Sequence, residues 1–394
     1  MNDNLWIGTY ADKKAEKVLI NSGIFCSHDI NVQRKLMEGL EENGYLFDSI
    51  NMYVDLPKQR KLKRIFFNID SRHIGVIDQA IPFVNIRHFN RIEKTIRLIK
   101  AVKAWCEESQ GKNVVMYSVT SYFLLAGLYL KRKYGVNTIV IIPDLPEYMR
   151  NSKNVIYRLL KRIDRVIIDY SLKRLDSMIF FSEYMRERLP VENKPYYVVE
   201  GVLNIDEEKY MDLVESRYKN DDKIVMLTGH LDLEEGIEDL LEAFSCIDGD
   251  EYKLWISGTG SGEQIIKQYC EKDKRITYYG YIDSYEEFLN TQRKAKVFVV
   301  MVRPTNPKSP YYFPSKIMEY MATGGIVACH KLKCIPSEYN NYLNYFEEGN
   351  IANTIKRLLD LDKSVVKEEG IKRIVFLKEK NSKNTAKKII RLMK

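Results

Sequence analysis

Short apolar runs alternate with amphipathic stretches of helical length along most of this 394-residue chain. In the first half LWIGTY, GIFCS, VVMYSV, TIVIIP, SMIFFS and YYVVEGV read as strands. VQRKLMEGLEENGY, HFNRIEKTIRLIKAVKAWCEES and SYFLLAGLYLKRKY read as the intervening helices. The pattern then restarts. KIVMLTG, KLWISG, RITYYG, VFVVMV and GIVACH are strands, separated by IEDLLEAFSCI, SGEQIIKQYCEKD, SYEEFLNTQRKA and PSKIMEYMATG as helices. A strand that is followed by a helix pairs in parallel with the next strand, and a parallel sheet needs helices on both faces. The chain therefore reads as α/β, with two Rossmann-like doubly wound parallel-sheet domains hinged near Gly201–Asp206 and facing each other. At about 150 residues per domain the length allows two or three. Ligands of such sheets bind at the carboxyl ends of the strands, so the expected site is the cleft between the domains.

Charge is distributed unevenly. Residues 1–200 carry 32 Lys and Arg against 23 Asp and Glu, whereas 201–394 carry 30 against 31, which together make the net +8. The densest basic stretch is 150–174. There Arg150, Lys153, Arg158, Lys161, Arg162, Arg165, Lys173 and Arg174 stand against Asp164 and Asp169, with Asp176 just beyond. Val155, Ile156, Leu159, Leu160, Ile163 and Ile167 recur among them at helical spacing. A basic amphipathic helix pair is expected, suited to an anionic membrane surface or, more simply, to the solvated outer face of a core helix. The many Tyr are not interleaved with cations in a nucleic-acid-reading motif, so no nucleic acid partner is expected.

The eighteen uncharged residues from Asn113 to Leu130 approach the length of a membrane span, but their Ser, Thr and Tyr content favours a buried strand running into an apolar helix. The start, MNDNLWIGTYADKK, lacks a basic flank and apolar core, so no signal peptide is expected. Cys26, Cys106, Cys246, Cys270, Cys329 and Cys334 are scattered as in a cytosolic protein with reduced thiols. Cys329, His330 and Cys334 follow no metal spacing, and no metal site is expected. His28, His73 and His88 have no acid or nucleophile at a telling distance.

The residues richest in chemistry lie in 297–339. A buried strand ends at Val302 and a Pro-rich loop with Arg303 and Lys308 follows. Pro314 then stands where a helix begins, as its fixed φ and missing N–H allow. Ser315 and Lys316 expose backbone N–H groups to an anion at that helix start, and Glu319 lies one turn further on the same edge. That suits a nucleotide diphosphate, with the carboxylate receiving ribose hydroxyls. It also suits a Glu that merely favours the helix dipole beside a solvated lysine. WISGTGSGEQ offers Gly258, Gly260 and Gly262 between strand and helix, a weak dinucleotide signal because the spacing is G-x-G-x-G and position 278 is Tyr278. Asp144, in IIPDLPEY, follows a strand and is either a turn former or a group facing the cleft.

FPSKIMEYMATG with the following strand and IPSEY resembles the donor segment of the family-4 glycosyltransferases, closest to their capsular and exopolysaccharide branch. IIPDLPEYMR, LTGHLDLEEGIEDLLEAF and RITYYGYIDSYEE resemble the other blocks of that branch in order, so the likeness covers roughly residues 110–345. The resemblance implies a GT-B fold, a nucleotide-diphosphate-sugar donor (a UDP-sugar foremost), retention at the anomeric carbon and no metal or other cofactor. It implies an acceptor domain over 1–203, a donor domain over 204–375 and a carboxyl-terminal helix, 376–394, crossing back to the first domain. It places Gly229, His230, Gly258, Gly260, Gly280, Tyr281, Ile282, Arg303, Phe313, Pro314, Ser315, Lys316 and Glu319 around the donor. Asp144, Lys316 and Glu319 become the candidate catalytic residues, and Glu200 and Gly201 would bound the sugar pocket. The acceptor would be lipid-linked or an oligosaccharide, at the cytoplasmic face of the cell membrane.

Two departures stand out. The family often has a second Glu eight residues before Glu319, where this chain has Tyr311. Many members grip the diphosphate with an Arg and a Lys after the first strand of the second domain, where this chain has His230 and Glu235. Arg303, Lys308 or Lys316 are the cations left to replace them. A nucleotide-sugar epimerase of the same fold, a non-catalytic partner subunit and, more remotely, a nicotinamide oxidoreductase are the alternatives.

Overall fold

The computed structural model describes residues 2–21, 27–53, 64–65, 75–84, 90–148, 155–204, 211, 214–215, 222–347 and 349–394. It divides into two compact units, Met1–Val202 with Asn381–Lys394, and Leu203–Lys380.

The first unit is built on strands β1 (Asn4–Gly8), β2 (Asp48–Asn51), β4 (Asp78–Ala80), β6 (Asn113–Tyr117), β7 (Asn137–Ile142), β8 (Ser177–Phe180) and β9 (Tyr196–Val198). They form one sheet in the order β4-β2-β1-β6-β7-β8-β9, parallel throughout. A small antiparallel pair, β3 (Arg64–Ile65) with β5 (Phe83–Val84), stands apart. Helices α1 (Lys13–Asn21), α2 (Ser27–Glu42), α3 (Asn90–Ser109), α4 (Ser121–Tyr134) and α5 (Val155–Leu172) connect these strands. The uncharged run from Asn113 is thus a strand and a helix, and among the described residues no helix is long and apolar enough to cross a membrane. Every residue of β6 is buried, which its β-branched and apolar content allows. Gly127 lets α4 settle on that strand, since a β-carbon there would fall 2.2 Å from Met116 Sδ.

Two strands of this sheet carry no apolar run. In β2, DSIN, the polar residues are buried because each finds partners. Asp48 accepts from Trp105 Nε1 (2.9 Å) and from the Ile77 N–H (2.8 Å), and Ser49 Oγ donates to Asp78 (2.5 Å). The expected strand GIFCS falls mostly outside the described residues, and Ser27 already opens α2. Arg150 and Lys153 of the basic stretch, His73, His88 and Cys26 also lie outside them.

The expected helix pair over 150–174 is, within the described residues, the single helix α5, and its burial departs from that of a core helix with a solvated outer face. Ile168, Ser171 and Leu172 are buried, whereas Val155, Leu159, Leu160 and Ile163 are exposed.

The terminal helix Ser382–Ile390 belongs to the first unit. Its Ala386 and Ile389 join Leu36, Met37 and Leu40 of α2 in the core, and Lys388 Nζ donates to the Val198 carbonyl (2.7 Å). Gly39 permits the contact, since a β-carbon there would meet the Ser382 carbonyl oxygen at 2.2 Å. The boundary drawn at residue 376 falls inside a helix that runs to Lys378, and the division between units comes after Lys380.

The second unit contains β10 (Lys223–His230), β11 (Tyr252–Thr259), β12 (Ile276–Tyr278), β13 (Val297–Val300), β14 (Ile326–Cys329) and β15 (Asn344–Tyr345). The order is β12-β11-β10-β13-β14-β15, again all parallel. Its helices are α6 (Ile237–Ser245), α7 (Glu263–Lys272), α8 (Tyr285–Lys294), α9 (Lys316–Ala322), α10 (Ile351–Leu359) and α11 (Lys363–Lys378). One face of the sheet packs Leu254, Ile256 and Val299 on Leu240, Phe244 and Leu358. The other packs Met226, Phe298 and Val327 on Ile317, Met321 and Leu377. Buried Lys296 is satisfied by the Leu359 and Leu361 carbonyls (2.6 Å each), a cation where the dipole of α10 ends. Strand order reverses between β10 and β13, and such a reversal opens a crevice at the carboxyl ends of those two strands.

Candidate functional site

Beside that reversal, three chain segments meet at backbone distance. Gly229, near the end of β10, has φ +107°, and its neighbour Gly258 on β11 has φ +139°, both in the region that favours glycine. A β-carbon on Gly258 would fall 1.9 Å from the Gly229 carbonyl oxygen. One on Gly260 would meet the Leu231 backbone at 2.5 Å. Side chains are excluded here so that the two strand ends can lie flush.

Lys316 closes this floor, since a β-carbon on Gly229 would lie 2.7 Å from Lys316 Cε. Its ammonium pairs with Glu319 Oε2 at 2.8 Å, and both side chains are half-buried. Burial works against the Lys316 charge, but the Glu319 carboxylate outweighs it and holds the ammonium above the ordinary lysine pKa. Lys316 is therefore a cation at neutral pH.

Tyr320 fixes α9 against β10. The Thr228 N–H donates to Tyr320 Oη (2.8 Å), Tyr320 Oη donates to the Thr228 carbonyl (3.2 Å), and the ring stacks on Phe298 at 4.6 Å. Tyr320 was not among the expected site residues, and its only sequence signal is its place four residues after Lys316. At the start of α9 the Ile317 N–H turns back to the Pro314 carbonyl (2.9 Å) and the Glu319 N–H to that of Ser315 (3.1 Å). The Ser315 and Lys316 N–H groups precede the first of these bonds, with Ser315 in helical conformation at φ −55° and Pro314 buried. Phe313 is also buried and tilts against Tyr339 at 5.1 Å, so its side chain belongs to the core.

The loop after β12 is tied to the same floor. The Gly280 carbonyl accepts from the Gly258 N–H (2.8 Å) and Ser257 Oγ (2.9 Å), and Tyr278 Oη donates to the Gly258 carbonyl (2.9 Å). Tyr281 beyond it is 67% exposed and Ile282 half-buried. A separate hollow of about 450 Å³ runs along α8, lined by Trp255, Tyr279, Glu287 and Asn290 among others.

The other expected donor residues are already engaged. Arg303 grips Asp239 through two bonds, Nε to Oδ2 at 2.6 Å and Nη2 to Oδ1 at 2.7 Å, which holds the Asp239 carboxyl below its usual range. Lys308 lies 3.7 Å from Glu234. His230 is exposed, and its Nδ1 lies 3.2 Å from the Thr259 carbonyl; because a carbonyl only accepts, this contact requires a proton on Nδ1. Burial and neighbouring Asp232 push the Glu235 carboxyl up, against the pull of His230 and Lys308. Cys329 and Cys334 are buried and their thiols are pushed up to about 12. Among the described residues no three His, Cys, Asp or Glu side chains gather as a metal site.

In the first unit Asp144 is exposed just beyond the end of β7. Tyr117, at the end of β6, is buried, and its hydroxyl is pushed up by that burial and by the negative charges of Asp29 and Asp144. Glu200 is buried and Gly201 half-buried, both following β9.

Residues 212–369 match the family model described as glycosyl transferases group 1. No curated protein matches the chain. Solved structures similar to it over nearly its full length include the sucrose-phosphate synthase of Thermosynechococcus elongatus, with TM-score 0.62, 17% identity, and 99% of this chain and 98% of that one covered. The Alr3699/HepE protein of Anabaena in complex with UDP has TM-score 0.61 and 12% identity, with 99% of each chain covered. The catalytic domain of starch synthase IV from Arabidopsis thaliana, bound to ADP and acarbose, has TM-score 0.62 and 9% identity, covering 99% and 98%. At these identities the likeness speaks for the fold. The chain has a GT-B fold, and its residues 212–369 are similar to the glycosyl transferases group 1 family.

Proposed function

We propose that this protein is a retaining glycosyltransferase that moves a sugar from a nucleotide diphosphate, foremost a UDP-sugar, to a lipid-linked or oligosaccharide acceptor in cell-surface polysaccharide assembly. The observation that carries this reading is the placement of the Lys316–Glu319 pair against the Gly229–Gly258 floor, at a strand-order reversal. A floor without side chains admits a diphosphate close to the backbone, and a fixed cation beside it favours the negative charge. The UDP held by the structurally similar Anabaena protein is the support for a uridine donor.

In the proposed reaction the glycosidic bond to the diphosphate breaks and the negative charge grows on the leaving phosphate. The N–H groups of Ser315 and Lys316 and the Lys316 ammonium stabilise that charge, preorganised by the pairing of Lys316 with Glu319. Glu319 accepts bonds from the ribose hydroxyls, and the Gly280–Ile282 loop borders the base. The sugar becomes oxocarbenium-like and the acceptor hydroxyl attacks from the same face, giving up its proton to the departing phosphate. Asp144 acts near the transferred sugar, with Glu200 and Gly201 bounding its pocket. No metal enters the proposed step. The protein works at the cytoplasmic face of the cell membrane, with the basic 150–174 region toward anionic lipid.

The test is thermal shift of the full chain against UDP-, GDP-, dTDP- and ADP-sugars, because a ligand of the native state raises its stability by mass action. One sugar nucleotide raises the melting temperature, and Glu319→Ala weakens its calorimetric affinity by roughly tenfold or more. Unchanged affinity in Glu319→Ala removes the ribose role, and no response to any donor overturns the reading. His230 and Glu235, standing where the family's cations stand, favour one second reading, a non-catalytic subunit; it requires donor binding without product.

A further inference from the structure

Helix α5 is inverted. At 3.6 residues per turn, Val155, Leu159, Ile163, Val166 and Tyr170 fall within an arc of about 80° on one side of it. They are 69%, 57%, 51%, 68% and 41% exposed, whereas Ile168, Ser171 and Leu172, on the opposite side, are buried. The helix is held to its unit by that second stripe and presents a row of large apolar side chains outward. Scattered exposed aliphatics need no explanation, but a continuous row along four turns does.

The charges around the row are sorted. Both acids of the helix are taken up by arginines, Asp164 by Arg91 of α3 and Asp169 by Arg165 Nε at 2.9 Å. Arg165 also reaches Glu147 and the Arg188 carbonyl (2.7 Å), away from the row. Arg158 and Arg162 are exposed along one margin, and Lys173 and Arg174 stand exposed at the carboxyl end, where Arg174 lies 3.6 Å over the Tyr170 ring. On α3, beside the Arg91 pair, Ile92 and Ile96 are 65% and 51% exposed one turn apart.

We infer that the outer face of α5 is a membrane-docking face that lies in the plane of an anionic bilayer surface. Val155, Leu159, Ile163 and Val166 enter the boundary between headgroups and acyl chains, and Arg158, Arg162 and Lys173 meet lipid phosphates. A straight apolar row bordered by cations, its acids neutralised within the fold, matches a planar anionic surface. It fits a second copy of the chain poorly, because a twofold contact would set the same arginines against each other. This adds apolar insertion to the electrostatic contact proposed above. It rests on that reading only for its use, which is to bring the active unit to a lipid-linked acceptor.

The experiment is co-sedimentation of the full chain, without donor or acceptor, with vesicles of phosphatidylcholine alone or mixed with phosphatidylglycerol. The protein binds the mixed vesicles roughly tenfold or more tightly than the neutral ones, and added salt weakens binding without abolishing it. L159E/I163E lowers the partition coefficient roughly tenfold or more, and R158Q/R162Q lowers it on mixed vesicles only. Since all four residues are exposed, circular dichroism and the melting temperature of each variant stay near those of the parent, and so does donor-dependent turnover on a water-soluble acceptor. Parent protein left in the supernatant with both vesicles, or L159E/I163E binding as the parent does, overturns the inference. So does a dimer that L159E/I163E dissolves while vesicles remain unbound. Failure of donor binding with vesicle binding intact overturns the proposed reaction alone.

Discussion

The two groups of candidate cations in this molecule are built on opposite plans. In the second unit each candidate cation is held by a carboxylate: Lys316 by Glu319, Arg303 by Asp239, Lys308 near Glu234. Those cations are aimed, and Lys316 is aimed at a floor stripped to backbone. On α5 the pairing runs the other way, with arginines consuming the acids and leaving Arg158, Arg162 and Lys173 exposed beside an apolar row. A small anion needs one cation in one place, whereas a lipid surface needs many loosely placed ones and something apolar to insert.

The largest effect that separates them is on turnover. Lys316→Ala is expected to lower kcat/KM about 10²- to 10³-fold, the loss typical of removing one preorganised charge-stabilising group, with vesicle binding unchanged. Equal loss of both properties would break the comparison. Next comes the floor itself. Gly258→Ala forces a β-carbon against the Gly229 carbonyl oxygen in a backbone conformation that disfavours it, and should destabilise the protein by about 2–4 kcal/mol in urea unfolding. Gly280→Ala, also at positive φ but with nothing within 4 Å, should cost only about 1 kcal/mol. Similar costs at the two positions would mean that the close approach of the strand ends is not what requires glycine.

Smaller effects sharpen the contrast. Arg303→Gln breaks a pair that is about one-third exposed, so about 0.5–1 kcal/mol is expected by chemical denaturation. Donor affinity should hardly change if Arg303 serves Asp239 and not the diphosphate. The smallest effect concerns His330, whose pKa is lowered, first by burial and then by nearby Arg303, against the pull of Asp239. The unfolded chain takes up that proton first as the pH falls. The stability contributed by neutral His330 is therefore complete above the ordinary histidine value of about 6.5 and is lost as the pH drops through the folded one. His330→Phe should flatten this part of the melting temperature's pH dependence between neutral and mildly acid conditions, and an unaltered slope would assign the acid sensitivity elsewhere.

Much of the fold was legible because a parallel sheet buries both faces of each strand, leaving runs such as VVMY and VFVV that stand out from helical spacing. β2 was invisible for the complementary reason. Its DSIN is buried through hydrogen bonds from Trp105 and Ile77 and to Asp78, partners 29 to 57 residues away that no local pattern announces. The helix start at Pro314–Glu319, on which the proposed site rests, was legible because local geometry alone makes it. Arg303 and Phe313 looked equally available, and tertiary partners, Asp239 and the core around Tyr339, determine what their side chains do.

By itself the sequence determined the strand–helix alternation, hence two parallel sheets, and the residue types at the helix start, because both are set by interactions within a few residues. Only the tertiary structure decided that Lys316 lies on Gly229, that Tyr320 locks α9 to β10, and which stripe of α5 faces outward. Spacing reveals that a helix has an apolar side, but the side that is buried depends on what packs against it. Here Ile168 and Leu172 hold the core, and the longer apolar row is left facing solvent.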